Sequence, residues 1–139
     1  MKLLFILFLV FFGNAADAEP DTCLSYDPSI SSLSGVLIKE IFPGPPNYRS
    51  IENGDIKEEA LIIKVETHFC VKSSPDDDVN NDDEVNQSKL QLIIHDASLW
   101  PKIHIFVGRK VKVTGTLFHA ISGHHRTPVL MTLKEIEGL

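Results

Sequence analysis

The sequence lacks any long hydrophobic run beyond its first residues. Leu3–Phe12 is unbroken and apolar, about half of the roughly 20 residues that a helix needs to span a bilayer. Lys2 precedes this run and a small-x-small pattern follows it at residues 16–18, as is typical of a secretory signal peptide. We therefore predict a signal peptide over residues 1–18 with cleavage near Ala18. The mature chain would then be periplasmic or secreted, with no membrane span.

The sequence also lacks an excess of basic residues. Its 13 Lys and Arg are outnumbered by 19 Asp and Glu, which gives a formal net charge of -6. Nucleic-acid binding depends on phosphate neutralisation by Lys and Arg, so an acidic exported chain argues against a nucleic-acid partner. The negative charge is concentrated in residues 76–84. Because this stretch and its flanks are polar and aperiodic, we predict an acidic flexible loop over residues 74–88.

Cysteine is scarce, and the chain has only Cys23 and Cys70. In an oxidising compartment an even pair of this kind is most simply a disulfide. Such a bond would tie the N-terminal arm to a core strand. A metal-binding pair and two free thiols are the alternatives.

Recognisable catalytic motifs are absent as well. No serine lies in a Gly-x-Ser-x-Gly elbow, and no glycine-rich loop of the phosphate-binding type is present. The neighbouring pair His95 and Asp96 does not by itself indicate nucleophilic catalysis, which also requires a serine or cysteine within hydrogen-bonding distance of the base. We therefore predict that the protein is not an enzyme.

Period-2 alternation is the main positive signal in the sequence. It predicts strands at residues 58–71, 89–98, 109–118 and 128–137, after a first short β-branched strand that begins near Leu33. The stretch 98–108 lacks this alternation and suits a short helix or plug. Gly115 takes an inward position in its strand, where a bend is expected.

This order of elements predicts the fold class. Three strands, a plug and two further strands match a mostly β, five-stranded OB-like barrel, in which the short helix lies between strands 3 and 4. We therefore predict a single OB-like β domain over residues 19–139. An open antiparallel sheet or sandwich is the alternative that the same alternation would allow.

Histidine is concentrated in the connection between the last two predicted strands. His119, His124 and His125 are half of the six histidines in the chain. Adjacent side chains on a strand point to opposite faces, so these rings could share a zinc or copper ion only if the backbone turns between them. No acidic residue lies between Arg109 and Lys134 to complete such a site. The connection is read first as a turn held by its polar rings, with metal binding or a proton switch as alternatives.

Several blocks of the chain resemble an uncharacterised bacterial family, domain of unknown function 4431. They are CLSYDPS at 23–29, GVLIKEIFPGPPNY at 35–48, FCV at 69–71 and GRKVKVTGTLFHAISGHHRTPVLM at 108–131. The family pattern tGHHxTPV maps onto Gly123, His124, His125, Thr127, Pro128 and Val129, with Ser122 where a threonine is common. The resemblance implies a small exported β-rich protein of no known activity, sometimes joined to regions similar to lysozyme-inhibitor domains.

These observations together predict a function class. We expect a non-enzymatic exported binding module that contacts another envelope or extracellular protein, and the family resemblance suggests a cell-wall hydrolase. The predicted binding residues are His119, His124, His125 and Arg126. The alternative is a periplasmic protein that binds zinc or copper through His119, His124 and His125.

Overall fold

A computed structural model describes residues 22–139 of the chain. The predicted signal peptide and its cleavage site lie outside the described residues. Within 22–139, no helix has the length and apolar character needed to cross a membrane.

The described chain is mostly β, as predicted. Six strands follow one another with a short helical segment between the fourth and the fifth. The strands are β1 (Leu24–Ser25), β2 (Ile30–Pro43), β3 (Lys57–Lys72), β4 (Glu84–Ile93), β5 (Lys110–His119) and β6 (Val129–Gly138). The helical segment consists of a 3₁₀ turn (Ala97–Leu99) and helix α1 (Trp100–Phe106). The predicted plug is therefore a helix at the predicted place.

Five strands are joined into a ring of hydrogen-bonded pairs. The pairs β2–β3, β3–β4, β5–β6 and β2–β5 are antiparallel. A parallel pair, β4–β6, completes the ring, and the short strand β1 lies parallel on β3 outside it. This mixed, barrel-like arrangement of five strands with a helix after the third agrees with the predicted order of elements.

The interior of the ring is filled by alternate apolar side chains from every strand. Because successive side chains point to opposite faces of a strand, period-2 alternation directs one set inward. Fully buried members of this set include Leu37, Ile63, Leu90, Val113, Leu117 and Met131. The β5–β6 register shifts between Thr114 and Gly115, where a Cβ would lie 2.1 Å from the Thr132 carbonyl oxygen. Only glycine permits this approach, which confirms the expected bend.

The helical segment begins at a side-chain cap. Asp96 Oδ1 accepts hydrogen bonds from Ser98 N at 2.9 Å and Ser98 Oγ at 2.7 Å. These bonds lower the pKa of Asp96, because they stabilise its carboxylate form. Pro101 stands in the first turn, where its missing N–H is harmless. Asp96 is thus a capping residue, and Ile103 anchors the helix in the core.

The loop in the acidic stretch is shorter than predicted. Strand β4 begins at Glu84, so the last part of the predicted loop 74–88 is strand. Hydrogen bonds also join the remaining part of the stretch to the strand ring. Asn80 is buried, and its Oδ1 accepts a hydrogen bond from His119 N at 2.8 Å. The prediction of a flexible loop over 74–88 is therefore wrong at its C-terminal end, where pairing with β3 orders the chain.

A tyrosine from the N-terminal arm holds the same loop. Tyr26 is buried in the core, and its hydroxyl donates to the Asp82 carbonyl oxygen at 3.0 Å. Burial, followed by the negative charges of Glu84 and its neighbours, raises the pKa of Tyr26 to about 12. The hydroxyl therefore stays protonated and remains a donor at physiological pH.

The predicted disulfide is present between Cys23 and Cys70. It fastens β1 beside the C-terminal half of β3, where Leu24 pairs with Val71. The arm that carries Tyr26 is therefore held covalently as well as by packing.

Removal of this disulfide should lower stability substantially. The bond closes a loop with a sequence separation of 47 residues. In the chain-entropy treatment, a loop of this size stabilises the fold by about 4 kcal/mol. We expect the double variant Cys23→Ser, Cys70→Ser to lose up to this amount in urea unfolding. Wild-type protein under reducing conditions is the matched control. Its unfolding midpoint in urea should fall to that of the double variant. An unchanged midpoint in both would contradict the prediction.

Candidate functional site

The connection between β5 and β6, residues 120–128, folds over the outer face of β3, β4 and β6. Gln91 of β4 anchors it with both ends of its amide. Its Oε1 accepts from Arg126 N at 2.5 Å, and its Nε2 donates to the His124 carbonyl at 3.2 Å. Thr127 Oγ1 accepts from Gln91 N at 3.0 Å and donates to the Val129 carbonyl at 2.6 Å. The main chain of this connection is thus held in one conformation.

The connection between β2 and β3, residues 44–56, is organised by one buried carboxylate. Asp55 accepts hydrogen bonds from the backbone N–H groups of Asn47, Arg49 and Ser50 at 2.7–2.9 Å. These bonds, led by the one from Ser50, lower the pKa of Asp55. The loop is closed around this carboxylate, and it presents Tyr48 at a positive φ of 56°.

His124 joins the two connections. Its Nδ1 lies 2.8 and 2.9 Å from the two Glu58 carboxylate oxygens, and its Nε2 lies 3.2 Å from the Tyr48 hydroxyl. A carboxylate can only accept, so Nδ1 carries a proton. In the neutral ring Nε2 then accepts from Tyr48. A hydroxyl, an imidazole and a carboxylate therefore lie in one hydrogen-bonded row.

Arg126 lies beneath this row. Its guanidinium is stacked near two rings, 5.1 Å from the centroid of Phe42 and 5.5 Å from that of Tyr48. The side chain is 8 % exposed, and Nη2 is 3.0 Å from Glu58 Oε1. This contact is an ion pair without a well-directed hydrogen bond, because Arg126 Nε and Nη2 have no hydrogen-bond partner within residues 22–139. The negative charge of Glu58 thus offsets the buried positive charge of Arg126.

The state of Glu58 follows from its two neighbours, His124 and Arg126. The hydrogen bond from His124 lowers the pKa of Glu58, and Arg126 adds a smaller effect in the same direction. Partial burial opposes both. The carboxylate form is therefore favoured, which is the form that the Arg126 ion pair requires.

Gly123 explains how the two loops can meet. A Cβ at this position would lie 3.1 Å from Cζ of Tyr48, tighter than an ordinary van der Waals contact. The bare backbone lets residues 120–128 rest on the tyrosine ring. We call the surface formed by residues 44–56 and 120–128 the two-loop rim.

The three histidines that were predicted as metal ligands have different hydrogen-bond partners in the structure. His119 lies at the end of β5, with Nε2 2.8 Å from Glu84 Oε1. His125 Nδ1 accepts from Ile121 N at 2.9 Å, and its ring packs edge-on against Phe118. Each ring therefore has a different set of partners. Among residues 22–139, no three histidine, cysteine or acidic side chains are placed to hold a metal ion.

Three of the predicted binding residues, His124, His125 and Arg126, belong to the two-loop rim, and the fourth, His119, lies beside it at the end of β5. Tyr48, Glu58, Phe42 and Gln91 were not predicted from the sequence. The carboxylate that the β5–β6 connection lacks is supplied by β3 for His124 and by β4 for His119. The sequence signal that could have identified this site was Tyr48, an aromatic residue in a Pro/Gly-rich loop. Only the fold shows that Tyr48 meets His124.

One comparison matches a C-terminal segment of the chain. The family model described as Domain of unknown function (DUF4431) matches residues 89–137, from β4 to the end of β6. The family resemblance is confirmed over these residues, which include the connection 120–128 and its anchor Gln91. Comparison with curated proteins finds no match to the chain.

Replacement of Glu58 should destabilise the protein in a pH-dependent way. Glu58→Gln leaves Arg126 buried without its ion-pair partner, and we expect a loss of about 1–3 kcal/mol at neutral pH by urea unfolding. Because the folded pKa lies below the ordinary value of 4.5, the contribution is complete above that pH and is lost as the pH falls through the folded pKa.

The neighbouring variant Glu59→Gln is the control for this measurement. Glu59 is exposed and 3.8 Å from Lys39, so its loss should change stability by less than about 1 kcal/mol. A Glu58→Gln protein as stable as wild type at neutral pH would contradict the assignment.

The pKa of the His125 imidazole should lie below its ordinary value. Partial burial, and then the charge of His124, lower its pKa below the ordinary 6.5. NMR titration of the ring nitrogens should show this, and His124→Gln should raise the value part of the way. Because the folded pKa is lowered, stability should fall as the pH drops below 6.5 towards that value. A His125 pKa at or above 6.5 would refute the burial and acceptor role assigned here.

Proposed function

We propose that this protein is a non-enzymatic exported binding module that contacts another envelope or extracellular protein through the two-loop rim. The observation that carries the proposal is the locking of two distant connections into one surface by Tyr48, Glu58, His124 and Arg126. Each connection also presents one large exposed apolar side chain, Ile56 or Ile121.

Rigidity supports a binding role for this surface. A binding loop that is already ordered loses less conformational entropy when a partner docks, so more of the contact energy appears as affinity. Asp55 orders one connection and Gln91 orders the other. Exposed apolar side chains beside polar groups are also the composition of protein interfaces.

The location proposed for this module agrees with two observations. The Cys23–Cys70 disulfide is the kind of bond that persists outside the cytoplasm. No helix within residues 22–139 could cross a membrane. Export through a signal peptide over residues 1–18 is part of the proposal.

The row formed by Tyr48, His124 and Glu58 is assigned to loop locking in this proposal. The Glu58 carboxylate lies against both His124 and Arg126, and the Tyr48 ring is covered by Gly123. These contacts bind the three groups to one another. A cell-wall hydrolase is the specific partner class that we propose, and this choice rests on the family resemblance.

Photo-crosslinking would test the partner surface. A photoreactive residue placed at Ile121 should capture a defined protein from envelope extract, whereas the same residue at Ile30 should not. Ile30 is also exposed, at the opposite end of β2 from the rim. A purified lysozyme-type muramidase should bind the wild-type protein in interferometry and bind Gly123→Leu more weakly, because a leucine would displace the loop from Tyr48.

Two results would overturn the proposal. One is equal capture from positions 121 and 30, which would indicate contact without a defined surface. The other is turnover of an ester, peptide or glycan substrate by the purified protein that is lost in Tyr48→Phe. That result would assign a catalytic role to the hydrogen-bonded row.

A further inference from the structure

Strand β2 has an open edge near its C-terminal end. Its pairing with β5 ends at Val36. One further residue is held on that side, because Leu37 N donates to Arg109 O at 3.1 Å and Gly108 N donates to Leu37 O at 2.7 Å. On the other side, pairing with β3 continues without a register shift to Pro43.

The direction of the free backbone groups follows from strand geometry. N–H and C=O groups alternate in direction along a strand, so those of Lys39 and Ile41 point to the same side as those of Leu37. They face away from β3, and no residue within 22–139 pairs with them there. Both residues are exposed. Pro43, which has no N–H, ends this open edge.

An apolar cleft begins at Lys39 of this edge and extends across β3 and β4. Trp100, at the start of α1, is 39 % exposed and lines two shallow cavities of about 190 and 100 Å³. Leu61 lines both cavities, and Lys39 and Glu59, 3.8 Å apart, stand at the smaller one. Lys39 therefore belongs both to the open edge and to the wall of the cleft.

The cleft and the two-loop rim occupy opposite faces of the same pair of strands. Phe42 and Glu58 pair across the two strands, and their side chains lie on the rim face with Arg126. Ile41 and Glu59 form the next pair, and their side chains lie on the cleft face. Side chains of adjacent residues point to opposite faces of a strand. A ligand in the smaller cavity, at Lys39 and Trp100, would therefore lie on the opposite face from the rim.

We infer that this edge and cleft bind an extended segment of a partner protein, which adds as a strand to β2. The free donors and acceptors of Lys39 and Ile41 are two residues apart, the spacing at which an extended chain presents its own. Alternate side chains of that segment point to one side, where Trp100 and Leu61 receive an apolar one. An extended backbone fits both parts of the site, and this fit identifies the occupant.

A phage-displayed library of random peptides, each about twelve residues long, would be selected for binding to the purified protein. The enriched peptides are the probes for the edge and cleft. Enriched peptides, resynthesised, should slow amide hydrogen exchange at Lys39 and Ile41 and change the fluorescence of Trp100, the only tryptophan in the chain. N-methylation of alternate peptide residues should abolish binding, because it removes the backbone donors that strand addition requires.

Two isoleucines of β2 make a matched pair of variants. Ile41 and Ile30 are each 56 % exposed, so both Ile41→Asp and Ile30→Asp should fold, which circular dichroism checks. Ile41→Asp should weaken peptide binding by about tenfold or more, whereas Ile30→Asp should leave it unchanged.

Several outcomes would overturn the inference. These are an absence of enriched peptides, equal binding to the Ile41→Asp variant, or tolerance of N-methylation. Self-association of the protein that is lost in Ile41→Asp would make the occupant a second copy of the chain instead. Crosslinking from Ile121 in the rim does not depend on Ile41, so this inference and the proposed function can fail separately.

Discussion

Closure of the strand ring between β4 and β6 is the constraint on which the site depends. These strands are parallel, so no short hairpin can join them, and the chain must travel through α1 and β5 before they meet. The first pair of the register is Gln91 with Leu130. At this point the Gln91 side chain also holds the connection 120–128. The geometry of the two-loop rim is therefore a consequence of how the ring closes.

The ion pair within the rim differs greatly in energetic weight from those elsewhere in the protein. Exposed ion pairs such as Lys39–Glu59 and Lys112–Glu137, at 3.7–3.8 Å, contribute about 0–1 kcal/mol each. The Arg126 guanidinium is buried, so its desolvation has to be offset by Glu58 and by aromatic faces. The family match covers the loop that contains this arginine, but Phe42, Tyr48 and Glu58 lie outside residues 89–137. Residues before the matched segment thus supply the partners of the matched arginine.

Much of the fold could be predicted because its signals are local. Alternation along β3 and β5 follows directly from the burial of one face, and the position of the helix follows from the loss of alternation at residues 98–108. The acidic run was misjudged at its end because Glu84 looks like a loop residue by composition. Pairing of β4 with β3, which composition does not encode, makes it part of a strand.

The sequence by itself determined a mostly β chain, the order of its elements, the pairing of Cys23 with Cys70 and a turn at Gly123–Arg126. Each of these depends on side-chain periodicity, on turn-forming residues or on the count of cysteines. All three can be read directly from the sequence. Only the tertiary structure decided that Glu58 and Tyr48 meet His124, that the three histidines are apart, and that β2 keeps an open edge beside Trp100. Those results depend on register and ring closure, which bring together residues far apart in sequence.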